Sequence, residues 1–445
     1  MSETLLSVGL DVGTTSTQMV VSRLLVENRS SAFTVPELDI TQRELVYQSP
    51  VYFTPLLDER RMDAPALRTI VEQEYRAAGI RRKDVDTGAL IVTGETSRKE
   101  NAAAVLEALS DFAGDFVVAA AGPDLESVLA AKGAGAVSWS EQTGKTVLHM
   151  DIGGGTSNLA LIRQGKIEAT GCLNVGGRLI KTENGKITYI SPVLNGIWQG
   201  NVGEILTKQR AQELAVLLAS ALEMAVGLRP PDGLLEHLTT REAQRKLPLN
   251  EPGEELVLSF SGGVADCIDR EIPWQEFGDL GPLLGQAIRV SALCRGQYRL
   301  GSQTIRATVI GAGCHSAQLS GSTVFCQNET LPMKNVPVIT RTEQREDFEG
   351  PVFLALPGLV SPSYRQVTEL AQELAARWPE GINLCLEQDM AKALGQALAL
   401  RLGREAKILC IDRIRVSEGS FLDVGTPIGP VFPVVVKTLI LQQER

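Results

Sequence analysis

Two short stretches of this chain join a carboxylate to glycine and small hydroxyl residues at matching spacing. Asp11-Val12-Gly13-Thr14-Thr15-Ser16 follows the apolar run 8–10, and Asp151-Ile152-Gly153-Gly154-Gly155-Thr156 follows the apolar run 147–150. A second β-rich run comes after each, at 17–21 and 157–162, so both read as β-hairpins. Turns of Gly and Thr expose backbone N–H and hydroxyl groups that can hold phosphate oxygens. An Asp at the end of the strand before the turn suits a hydrated Mg²⁺, a hard cation that takes carboxylate, water and phosphate oxygens together. Facing one another, the hairpins would clamp a polyphosphate. Asp11 and Asp151 would be the metal-side, catalytic carboxylates, and Gly13, Thr14, Thr15, Ser16, Gly153, Gly154, Gly155 and Thr156 would surround the phosphates. One such turn would be ordinary. The reading comes from the pair, set about a domain length apart, and from a third strand that ends in Ser261-Gly262-Gly263.

The elements that must carry these turns alternate in type. Apolar residues at three- and four-residue spacing predict helices over 64–78 and 99–112 and another from Pro123, with short buried strands at 89–93 and 116–119. A long amphipathic helix is predicted over 204–226, a strand over 256–263, and a Pro- and charge-rich surface connection over 228–252. Beyond about 296 come strands at 304–311, 352–355, 407–414 and 431–440, with helices at 364–377 and 388–402. The fold class is α/β throughout. The chain divides into 1–137, 138–295 and 296–445, each of the first two units holding one hairpin.

At 445 residues the chain has room for roughly two to four domains of about 150 residues, and 44% hydrophobic content builds real cores. Its 43 basic and 53 acidic residues give a net charge of -10, which excludes a general nucleic-acid binder. The longest apolar stretch, 431–441, is broken by Pro433 and Lys437, so no membrane span is expected. The first residues carry Glu3 and no basic run, so no secretory signal is expected and a cytoplasmic location follows. Seven cysteines without a C-x-x-C and three histidines offer no zinc or iron–sulfur spacing, and the thiols read as reduced and buried.

In this order the motifs resemble the actin, Hsp70 and sugar-kinase superfamily of ATP-binding proteins. The resemblance implies a duplicated actin-like (ribonuclease H-like) two-lobed ATPase fold with an additional C-terminal α/β unit, and ATP and Mg²⁺ as cofactors. Each lobe would contribute one phosphate hairpin. Residues 258–265, with Ser261, Gly262 and Gly263, look like the adenosine motif. The helix 123–132 before Gly133-Ala134-Gly135-Ala136 looks like the first connecting helix between lobes, and 280–288 like the second. Val309-Ile310-Gly311-Ala312-Gly313-Cys314 is a rival adenosine motif, less favoured because no connecting-type helix follows it closely. Lys208, early in the 204–226 helix, would flank adenine. Many members carry Glu or Gln at the start of the first connecting helix to orient water. Here Ala121-Gly122-Pro123-Asp124 stands there and Glu126 lies one turn on, which implies slow, switch-like hydrolysis.

Within the superfamily, an Hsp70 would need a further substrate domain, and dehydratase activators need a shared iron–sulfur cluster. Residues 88–102, 307–318 and 386–397 are similar to the reactivating factors of ethanolamine ammonia-lyase, a likeness that runs over essentially the whole chain. It implies ethanolamine ammonia-lyase as partner and an ATP-dependent, chaperone-like exchange of damaged cobalamin for adenosylcobalamin. It also implies association with a bacterial microcompartment and is compatible with a homo-oligomer. The competing classes are an actin-like filament or scaffold protein and a small-molecule kinase, the latter lacking an evident base. Arg81-Arg82-Lys83 reads as a solvated helix end and Cys314-His315 as packing rather than cobalt ligation.

Overall fold

The computed structural model describes residues 3–13, 16–28, 38–58, 61–92, 117–120, 123–240, 247–249, 255–315, 317–320, 324–340, 350–414, 420–425 and 431–438, with single positions 105, 109, 416 and 427. The helix expected over 99–112 and most of the 88–102 motif lie outside them.

The first lobe is built on β1 (Glu3–Val12), β2 (Ser16–Asn28), β3 (Leu38–Gln48), β4 (Tyr52–Phe53), β5 (Thr87–Val92) and β6 (Val117–Ala120). Its sheet runs β3-β2-β1-β5-β6, antiparallel through the first three strands and parallel through β1, β5 and β6, with β4 beside β2. Helix α1 (Ala64–Ala77) starts where Asp63 accepts from the Ala66 N–H at 3.0 Å and Pro65 sits in the first turn. It buries Leu67, Val71 and Tyr75 against Val8, Leu10 and Val12 of β1, one face of a strand whose residues alternate.

The second lobe repeats the plan. Its strands are β7 (Val147–Ile152), β8 (Ser157–Arg163), β9 (Lys166–Leu173), the small hairpin β10 (Ile180–Glu183) and β11 (Lys186–Ile190), β12 (Val257–Ser261) and β13 (Tyr298–Leu300). The sheet runs β9-β8-β7-β12-β13, the same three antiparallel strands followed by two parallel ones. Two sheets of one order, each opened by a hairpin, make the duplicated, ribonuclease H-like α/β fold.

Two helices cross between the sheets. Among the described residues α2 (Pro123–Gly133) leads into α3 (Ala136–Thr143), and Ala131 and Ala136 pack on Val147, Ala160 and Ile162 of the second sheet. The larger helices α4 (Lys208–Ala225), α5 (Gly233–Leu238) and α6 (Gly281–Val290) cover that sheet's other face. The helix α7 (Ala307–His315) covers the first sheet, with Val309 and Ile310 on Val20 and Ala312 on Ala89 and Ile91.

Three expectations are corrected here. The run 304–311 is not a strand; α7 occupies it from Ala307, so the rival adenosine motif is a helix. The β-branched Thr308, Val309 and Ile310 favour a strand locally, but Ala307 and Gly311, one helical turn apart, form a small-residue face onto which α2 closes. A Cβ on Gly311 would lie 2.0 Å from the Leu129 carbonyl oxygen, and one on Gly133 would lie 1.9 Å from that of Ala307. The second connecting helix is therefore α7. Segment 280–288, in α6, packs its Leu284 and Ile288 into the outer core with Leu214 and Leu218 of α4. Finally, the expected 137/138 boundary falls inside α3, and the 295/296 boundary falls before β13, which still belongs to the second sheet.

The C-terminal unit is one eight-stranded sheet in the order β14-β21-β20-β16-β17-β18-β19-β15. These are β14 (Ala317–Leu319), β15 (Phe325–Gln327), β16 (Met333–Ile339), β17 (Phe353–Leu356), β18 (Gly381–Leu386), β19 (Lys407–Ile411), β20 (Ser420–Val424) and β21 (Pro433–Thr438). The strands β16 to β19 are parallel neighbours. Helices α8 (Tyr364–Arg377), which the sequence placed near these bounds, and α9 (Ala391–Leu402) pack on one face. Phe353, Leu409, Leu422 and Val434 form a second core on the other.

Candidate functional site

The two hairpins have the same internal geometry. In the first, Asp11 is paired across the strands with Gln18, and the Gly13 N–H donates to the Ser16 carbonyl at 2.9 Å. In the second, Asp151 is paired with Asn158, and the Gly153 N–H donates to the Thr156 carbonyl at 2.9 Å. Both turns open on one cavity of about 560 Å³ between the lobes. Asp11, Gly13 and Ser16 line it from one side, and Asp151, Gly153, Gly154, Gly155 and Thr156 from the other.

Gly262 and Gly263, at the end of β12, line the same cavity. Gly262 has φ +87°, and a Cβ there would sit 2.3 Å from the Ile152 carbonyl oxygen, so only glycine fits beside the second hairpin. Thr14 and Thr15 lie outside the described residues. Two expected cofactor contacts are not among the residues lining the cavity. Lys208 is exposed at the first position of α4. Ser261 is fully buried and donates its hydroxyl to Asp151 Oδ1.

The environment of Asp151 is electrostatically unusual. Burial pushes its carboxyl up to about 6, against the opposing effect of hydrogen bonds from Ser261 and from Thr308 Oγ1, 3.5 Å from Oδ2. Behind it, His149 is 0% exposed, with Nε2 3.0 Å from Ser261 Oγ and Nδ1 3.1 Å from Ser259 Oγ. Burial, with the nearby Arg299 adding to it, pushes this imidazole down to about 3, so it is neutral.

The sequence reading left the water-positioning role unassigned and noted Glu126 one turn into the first connecting helix. The helix begins at Pro123, so Glu126 falls in its first turn, 6% exposed and lining the cavity. Asn158 Nδ2 donates to its Oε2 at 2.7 Å. Gln18 is anchored likewise, Nε2 donating to the Ile305 carbonyl at 3.2 Å just before α7. Each amide therefore ties a hairpin to a segment at or beside a connecting helix. Gln18 and Asn158 were missed, though both stand seven residues after the motif Asp, a repeat visible in the sequence. Arg178 was also missed. It lines the cavity, pairs with Asp279 at 3.1 Å, and places its guanidinium 5.7 Å from the Phe53 ring of the first lobe.

Among the described residues, no three acidic, imidazole or thiol side chains gather as a metal cage. Two carboxylates facing each other across a glycine-lined cavity are the donor set that Mg²⁺ takes when a polyphosphate supplies the remaining oxygens. The residues present fit a Mg²⁺–polyphosphate. Five described cysteines are buried and Cys326 is exposed, and no described helix is long and apolar enough to cross a membrane.

The family model for "Ethanolamine utilisation protein EutA" matches residues 3–352 and 344–442. Ethanolamine ammonia-lyase reactivase EutA of Escherichia coli (strain K12) is 38% identical over 98% of this chain and 98% of its own length. The protein of the same name from Salmonella typhimurium (strain LT2) is 38% identical with the same coverage. Among solved structures, the Aquifex aeolicus Ppx/GppA family member aligns with 69% of this chain and 97% of its own, at TM-score 0.43 and 12% identity. The ethanolamine utilization protein EutJ from Carboxydothermus hydrogenoformans covers 69% of this chain and 89% of its own, at TM-score 0.34 and 16% identity. With one family model matching it over residues 3–352 and 344–442 and two relatives at this identity over 98% of its length, the chain belongs to the EutA family of ethanolamine utilisation proteins.

Proposed function

We propose that this chain is an ATP-dependent reactivase of ethanolamine ammonia-lyase, promoting exchange of damaged cobalamin for adenosylcobalamin on that enzyme. The observation that carries the nucleotide part is the register-matched pair of hairpins on one cavity, Asp11 beside Gln18 and Asp151 beside Asn158. The partner comes from the full-length relatives, which are named for this activity.

In this reading Asp11 and Asp151 would hold a hydrated Mg²⁺, whose contribution would be neutralisation of phosphate charge. The two turns hold the phosphate chain by their N–H groups, and Gly262 and Gly263 let the adenosine approach the end of β12. Glu126, fixed by Asn158, is the acceptor that orients a water for attack. The amide of Asn158 holds its carboxylate at the cavity wall. The bonds from Gln18 to Ile305 and from Asn158 to Glu126 make each hairpin report to the helix pair between the lobes. Damaged cobalamin leaves the lyase only if an open form is favoured, and a partner shifts that equilibrium by binding the two forms unequally. Lobe closure on ATP supplies the difference.

The test is recovery of activity by cyanocobalamin-blocked ethanolamine ammonia-lyase on adding this protein, adenosylcobalamin and Mg²⁺, with and without ATP. Recovery that needs ATP supports the reading. ATP binding without recovery of the lyase sinks the partner assignment and leaves the cavity assignment standing.

A further inference from the structure

We infer that His149 is a positioning residue for the cavity carboxylate Asp151, acting through the hydroxyl of Ser261. The inference deepens the Mg²⁺–nucleotide reading of the cavity and rests on it.

The strands β7 and β12 are parallel neighbours, with His149 opposite Ser259 and Asp151 opposite Ser261. Side chains alternate along a strand, so all four lie on one face of the sheet. The opposite face carries Leu148, Met150, Ile152, Leu258 and Phe260 in the main core of the lobe. A line of four polar side chains in a sheet this buried is costly unless every donor meets an acceptor.

Donor accounting leaves one arrangement. Ionised Asp151 can only accept, so Ser261 donates its hydroxyl hydrogen to Oδ1. The Ser261 oxygen is then the acceptor in its 3.0 Å contact with His149 Nε2, which must carry the ring's hydrogen. A neutral imidazole has a single N–H, so Nδ1 accepts from the Ser259 hydroxyl at 3.1 Å. The chain Ser259–His149–Ser261–Asp151 therefore runs in one direction. It fixes the ring tautomer, the Ser261 rotor and the orientation of the carboxylate. Oδ1 is committed to Ser261, and Oδ2, whose one contact among the described residues is Thr308 Oγ1 at 3.5 Å, is the oxygen left for a cation. His149 thus directs the hydrogen of the group that holds the cavity carboxylate.

The experiment measures Mn²⁺ binding to the ADP complex, from the electron paramagnetic resonance signal of free Mn²⁺. It compares wild type with His149→Phe, His149→Gln, Ser261→Ala and the Phe/Ala double variant, and measures ADP affinity without metal alongside. His149→Phe and Ser261→Ala are each expected to weaken Mn²⁺ binding about tenfold. The double variant is expected to lose no more than either single one, because both cut the same chain. His149→Gln, whose amide N–H reaches the same hydroxyl, is expected to stay within about twofold of wild type, as is metal-free ADP binding in every variant. The ¹⁵N spectrum of the wild-type imidazole is expected to show the Nε2–H neutral tautomer.

Unchanged Mn²⁺ affinity in His149→Phe, additive losses, or an equal loss of metal-free ADP binding overturns the inference. If the Phe variant does not fold, an Nδ1–H tautomer or a tenfold loss in His149→Gln overturns it instead. A wild type that takes up neither ADP nor Mn²⁺ overturns the nucleotide reading together with this inference. Mn²⁺–ADP binding indifferent to His149 overturns the inference alone.

Discussion

Asp151 sets stability against function. Its folded-state value of about 6 lies above the ordinary 3.8, so folding favours the protonated carboxyl. That contribution is complete below about pH 4 and is lost as pH rises through 6; at pH 8 the ionised, buried group costs up to about 3 kcal/mol without a cation. Asp151→Asn is therefore expected to resist urea better than wild type at pH 8, the gap closing as pH is lowered to 5, while Mg²⁺ dependence of nucleotide binding disappears. A wild-type stability that does not change relative to the variant between pH 5 and 8 would contradict this. Asp11→Ala is expected to lose the same Mg²⁺ dependence with the fold intact, checked by calorimetric titration with ATP. That both aspartates end a strand at a hairpin was legible in the sequence, because motif and spacing mark it, and both line the cavity. The parts played by Glu126 and His149 were not legible there. The importance of Glu126 depends on where α2 begins, and that of His149 on which face of β7 meets β12, and both are settled only by packing.

Glycines at two kinds of place make opposite predictions for the elements. At the crossing of α2 and α7, Gly311 faces backbone, and Gly311→Val would drive methyl groups into the Leu129 carbonyl. Helices cannot yield there without parting the lobes, so a loss of about 2 kcal/mol or more is expected in thermal unfolding. In the turn of the second hairpin, a Cβ on Gly155 would meet nothing within 4 Å. Gly155→Val is therefore expected to melt near wild type and to bind ATP at least tenfold more weakly, since the added bulk fills the space a phosphate needs. Equal melting losses in the two variants would refute the distinction. The sequence carried α8 and the hairpins because their periodicity and turn residues are local. It misread α7 because three β-branched residues outweigh, in a local reading, the Ala307–Gly311 face that matters only once α2 lies against it.

Across the whole molecule, a few polar and aromatic contacts join the lobes beside the cavity. Arg178 of the second lobe stacks on Phe53 of the first, and Arg306, before α7, donates to the Ser49 carbonyl at 2.9 Å. Phe53 is 80% exposed, so Phe53→Ala is expected to cost under about 1 kcal/mol of stability. It is expected to speed release of a fluorescent nucleotide analogue in stopped flow, because one of the ties between the two walls is gone; an unchanged release rate would dismiss the tie. No sequence pattern announced this contact, since Phe53 and Arg178 are joined only by the meeting of two lobes.

The junction after α7 has a mechanical meaning. The helix ends at His315 and β14 begins at Ala317, where it pairs with β21 at the edge of the eight-stranded sheet. A spacing of two residues spans no more than about 7 Å and allows almost no slack. The end of α7 and the edge strand of the sheet cannot part by more than that reach, so the C-terminal unit is moored close to the helix that walls the first lobe, on a tether too short to pay out.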